Sequence, residues 1–79
     1  MASTLDTLAQ QLAEDTLKVQ DALGEERLYV EVAQVLGAAS QSLEEAFLTE
    51  VRVRLAEQKA RDFLDRKIAA AQAALTPED

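Results

Sequence analysis

Seventy-nine residues carrying eight basic and fifteen acidic side chains, a formal charge of −7, describe one small acidic domain. The chain has no cysteine and no histidine. Disulfide stapling, the usual zinc ligands, a thiol nucleophile and imidazole acid–base chemistry are therefore excluded. The charge balance also opposes binding to nucleic acid or anionic membranes, which begins with phosphate neutralisation.

A first helix is predicted over residues 4–23, capped by Ser3 or Thr4. Leu5, Leu8, Leu12, Val19 and Leu23 recur at helical spacing, with Ala9 and Thr16 beside them, and form the expected core stripe. Gln10, Gln11, Glu14, Lys18 and Asp21 lie largely away from it. Leu17 falls off the stripe, where it is either an edge of the core or a contact for a partner.

Gly24 suits a left-handed helix ending. Glu25 and Glu26 then suit the first turn of a second helix, predicted over 25–36. Leu28, Val32, Val35 and Ala39 fall on one side, with Tyr29 and Leu36 at its margins and Val30 nearly opposite. The run Leu28-Tyr29-Val30-Glu31-Val32 has strand-like members, yet a lone strand would leave its backbone groups unmatched. Helix is the expected state. Tyr29, the single tyrosine, can anchor an interface or sit at the core boundary with its hydroxyl in water.

Gly37-Ala38-Ala39-Ser40-Gln41 reads as the next connection, with Gly37 the terminator and Ser40 or Ser42 the cap. The third helix, predicted over 43–75, dominates the chain at roughly 50 Å. Ser42 and Glu45 fit a capping box at its start. At its far end Thr76-Pro77-Glu78-Asp79 reads as a flexible terminus, because Pro77 cannot continue the hydrogen-bond ladder.

Apolar residues of this helix form two offset clusters. Leu43, Phe47, Leu48, Val51 and Leu55 cover a face of the first half, and Ala60, Leu64, Ile68, Ala71 and Leu75 cover a different face of the second. Polar residues separate them, from Glu57 to Lys59 and at Arg61 and Asp62. One partner helix would cover either cluster more easily than both. The alternative is a single wide core face that drifts around a straight helix. Phe63 lies on yet another face, near Ala56 and Arg52, where it is a contact between molecules or an edge of the core. A strict heptad fails at 43, 50, 57, 64 and 71, which read Leu, Glu, Glu, Leu, Ala.

The charges are mostly accounted for by helix surface. Glu50–Arg54, Glu57–Arg61, Arg61–Asp65 and Asp62–Arg66 are spaced for pairs worth a few tenths of a kcal/mol each. The adjacent acids Glu14-Asp15, Glu25-Glu26 and Glu44-Glu45 diverge on a helix, and no calcium-loop or phosphate-loop pattern occurs. Neither an enzyme nor a cofactor, metal or small-molecule site is expected.

The sequence thus predicts an all-α, three-helix domain, two shorter helices followed by one long C-terminal helix, assembled as a homodimer. Its expected role is that of a small interaction module, an adaptor, chaperone-like or regulatory factor. A structural accessory subunit of a larger complex is the alternative, and nucleic-acid binding the least favoured class. Leu17, Tyr29, Val30, Phe63, Leu64, Ile68, Ala71 and Leu75 are the candidate dimer or partner contacts. No stretch approaches the roughly 20 apolar residues of a membrane span. Met1-Ala2-Ser3-Thr4-Leu5 lacks the basic start and apolar run of a secretory signal, so a cytoplasmic protein is expected.

Overall fold

A computed structural model describes residues 3–75 as three helices: α1 (Thr4–Leu23), α2 (Leu28–Ala39) and α3 (Gln41–Leu75). No strand occurs among the described residues, and the Leu28–Val32 run is helical. The expected terminus and flexible tail at 76–79 lie outside the described residues.

Helix α1 keeps its predicted bounds because both of its ends have local partners. The Ser3 hydroxyl accepts a hydrogen bond from the Asp6 N–H at 3.1 Å. At the other end Gly24 takes φ +68° in the left-handed region, and the following Glu25 N–H returns to the Gln20 carbonyl at 3.1 Å.

Helix α2 starts and ends three residues later than predicted. Glu25 and Glu26 belong to the turn, with the Leu28 N–H donating to the Glu25 carbonyl at 3.3 Å. Arg27 stands at the cap position but gives α2 no side-chain cap. Gln20 replaces it from α1: its Oε1 accepts the Tyr29 N–H at 3.1 Å while the residue is 8% exposed. A free donor at a helix start is thus satisfied from across the turn.

Gly37, expected to end α2, lies inside it, and the helix continues to Ala39. The terminator is Ser40, in extended conformation at φ −157° and ψ 108°. Its N–H donates to the Leu36 carbonyl at 2.7 Å, closing α2. Its hydroxyl accepts the Leu43 N–H at 3.2 Å, opening α3. One residue therefore serves both helix ends. Ser42 lies within α3, so the capping box expected with Glu45 does not mark its start.

The core is small. Ala13 of α1, Ala33 of α2, and Phe47 and Val51 of α3 form the buried cluster, with Leu12, Leu17, Tyr29, Val32, Leu36, Leu48 and Leu55 packed around it. Along α1 the buried residues are Ala9, Ala13, Thr16 and Gln20, not the leucine stripe. Small side chains on this face let α1 approach α3, whose Phe47 supplies the bulk. Leu12 is retained at the edge, while Leu5, Leu8, Val19 and Leu23 are exposed. Helix α2 is likewise rotated from the expected face, with Ala33 buried while Val35 and Ala39 face water.

Both short helices pack on the first half of α3 and on each other. Every residue of 56–75 is exposed. The second half of α3 therefore projects as an arm, about 30 Å of α-helix beyond the three-helix head. The protein measures 62 × 31 × 14 Å, with a radius of gyration of 17.4 Å. A compact domain of this length would have a radius of about 12 Å.

The two glycines make opposite predictions. Gly24→Ala is expected to cost about 1 kcal/mol, because an L side chain is strained at its positive φ. At Gly37 a Cβ would come within 2.9 Å of Glu44 Oε2, the movable end of a flexible side chain. Gly37→Ala is expected to be neutral or to stabilise by up to about 1 kcal/mol through helix propensity. Urea midpoints of the two variants check the difference in sign. Gln20→Ala should cost about 1–2 kcal/mol by leaving the Tyr29 N–H without its acceptor, with faster amide exchange concentrated at the start of α2.

Candidate functional site

Among the described residues, no group of three or more Asp or Glu side chains is placed to hold a metal ion. A shallow groove of about 360 Å³ lies between α1 and the start of the arm, lined by Glu14, Leu17, Lys18, Arg54, Glu57, Gln58 and Arg61. Its charges are largely paired within their own helices. Lys18 Nζ lies 3.3 Å from Glu14 and Arg54 lies 3.6 Å from Glu50. Arg61 Nε donates to Glu57 Oε2 at 2.6 Å. That hydrogen bond, followed by the Glu57 charge, holds the Arg61 guanidinium above its ordinary pKa. The pair supports the helix at the root of the arm.

Arg54 links the arm to the head. One of its terminal nitrogens donates to the Gln10 carbonyl at 3.5 Å, joining α3 to α1. Of the four spaced pairs read from the sequence, Glu50–Arg54 and Glu57–Arg61 come within ion-pair distance, together with Glu14–Lys18. All three are i,i+4 surface pairs. Their effect is local helix support.

The predicted contact residues divide into two sets. Leu17 and Tyr29 are half-buried against the core, and Val30 is also half-buried on the head. They act first as packing residues. Phe63, Leu64, Ile68, Ala71 and Leu75 all lie on the arm and are exposed, Leu64 at 51% and Ile68 at 54%. No helix of the head covers them.

Val53, which the cluster reading omits, belongs with this second set. It is 61% exposed even though it stands beside the buried Val51. Val53, Leu64 and Leu75 are spaced by eleven residues, as are Ala60 and Ala71, and Glu57 and Ile68. An eleven-residue period is about 3.67 residues per turn, close to that of a straight helix, so these positions form one continuous stripe along α3. The stripe lies about 120° around the helix from Phe47 and Val51 at 3.6 residues per turn. A heptad template follows it only in part, because the spacing of four, three, four and three breaks after Leu64.

A second exposed apolar surface lies on the head. Leu5, Leu8, Val19 and Leu23 follow one flank of α1, and Val35 is exposed on α2. The accessible surface totals 6234 Å². A compact monomer of this mass would expose roughly 4,700 Å². The difference is about 1,500 Å², against roughly 800 Å² contributed by each partner to a standard interface. Among the described residues no helix is long and apolar enough to cross a membrane. Comparison with protein-family models, curated proteins and solved structures finds no match to this chain.

Proposed function

We propose that this chain is a non-enzymatic interaction module that works as a homodimer, with its arm for self-association and its head for another protein. The observation that carries the reading is the apolar stripe of α3, exposed along its length from Val53 at 61% to Leu75 at 83%. Leucine and isoleucine on a helix without covering neighbours gain about 25 cal/mol per Å² of apolar area removed from water. A long projecting helix offers that area to another helix.

An adaptor or regulatory role fits the separation of the two surfaces. The arm, residues 56–75, carries four bases and three acids, whereas residues 1–42 carry a net charge of −5, from two bases and seven acids. A partner approaching the head therefore meets a different field from one approaching the arm, which orients association.

Light scattering over a concentration series tests the dimer. Wild type is expected at twice the 8.6 kDa chain mass. A Leu64→Asp and Ile68→Asp double variant is expected to be monomeric with its head folded, since both positions are exposed in the monomer. A strictly monomeric wild type would remove the homodimer from this reading.

The apolar flank of α1 supports a second reading, that of a structural accessory subunit. It places Leu5, Leu8, Val19 and Leu23 in a permanent interface with a different subunit. On this reading the isolated wild-type protein binds a fluorescent hydrophobic dye, and Leu8→Lys with Leu23→Lys removes that signal without altering the mass. Dye binding confined to monomeric arm variants would instead argue against the accessory role.

A further inference from the structure

We infer that two copies of the arm pair antiparallel along the eleven-residue stripe, with the two-fold axis passing beside Leu64. This inference rests on the homodimer reading and adds the direction and register of the contact.

The stripe runs Val53, Glu57, Ala60, Leu64, Ile68, Ala71, Leu75, and its apolar members are all exposed. Centred on Leu64, an antiparallel copy places Ile68 against the partner's Ala60 and Leu75 against the partner's Val53. Ile68 then meets the small Ala60 on either side of the axis, which fills space between the helices as close packing requires. Glu57 meets the partner's Ala71, and its carboxylate remains on Arg61 at the edge of the contact.

A parallel pair stacks each position on itself. Ala60 would face Ala60 and Ala71 would face Ala71, leaving gaps between wider leucine and isoleucine layers. Glu57 would face Glu57 within the stripe, where like charges oppose association. The same sequence therefore packs well in one direction and poorly in the other.

Charge along the flank agrees with that direction. Arg61 and Asp65 lie one turn apart on the same side of the stripe. In an antiparallel pair, matching flanks face one another, so each Arg61 approaches the partner's Asp65. Asp65 makes no ion pair within the chain among the described residues, although its charge contributes to raising Arg61. Two symmetry-related Glu57–Arg61–Asp65 groups would bracket the axis. Opposed helix dipoles favour the same orientation.

The absence of cysteine makes cross-linking a direct test, because an introduced thiol is the sole thiol in its chain. Val53→Cys and Leu75→Cys variants are prepared separately, and oxidation is compared for each alone and for a mixture. The two positions are about 33 Å apart along α3, too far for a disulfide between identical positions in the antiparallel pair. The expected result is covalent dimer in the mixture and almost none in either variant alone. Ala60→Cys mixed with Ile68→Cys repeats the test nearer the axis, and circular dichroism checks that each variant stays helical.

Cross-linking of each variant with itself would show a parallel pair and overturn the inference while leaving the homodimer intact. A dimer by light scattering with no cross-link in any sample would place the contact elsewhere and also overturn it. Monomeric mass at all concentrations would overturn the inference together with the dimer on which it rests.

Discussion

The head depends on the burial of Phe47 and Val51, one turn apart on α3. They are the largest side chains wholly withdrawn from water, and they bring Ala13 of α1 and Ala33 of α2 into one cluster. Bulk comes from the long helix and close approach from alanines on the short ones. Such a core is dense but small. Losing the aromatic ring by truncation typically costs about 3–5 kcal/mol, a large share of the stability of any small domain.

That asymmetry explains what was legible in the sequence. Three helices, the caps of α1, and the projecting second half of α3 follow from periodicity, Ser3, Gly24 and the offset between Phe47 and Leu64. The buried face of α1 does not. Leu5, Leu8 and Leu23 are the more apolar choice, whereas Ala9 and Ala13 are buried because only small side chains permit the helix approach. Gln20 was also hidden, since a glutamine in a helix gives no local sign that it caps the next one. At the second connection, helix propensity carried α2 through Gly37, and the extended backbone of Ser40 ended it. The arm stripe was legible from Ala60 to Leu75, whereas its extension back to Val53 was hidden by the buried Val51 two residues away on the opposite side of the helix.

The two halves of α3 are held in different ways. Up to Leu55 the helix is fastened by packing and by the Arg54 bond to the Gln10 carbonyl. Beyond it, helicity rests on the continuous backbone ladder, the Glu57–Arg61 pair and an alanine-rich end. Most helical stability in proteins comes from packing of an amphipathic face, so an arm with no packed face depends on its continuity with the head.

The corner at Ser40 turns this division into a mechanical relation. Its N–H belongs to the end of α2 and its hydroxyl to the start of α3, leaving no spare residue to act as slack. Any swing of α3 must pull on Leu36 and Leu43 together, and Leu36 packs directly against the core. The two helices therefore behave as a bent lever with a stiff elbow. In an assembly held through the arms, the unbroken α3 that starts at this elbow and runs through the head would fix the distance between heads in whole helical turns.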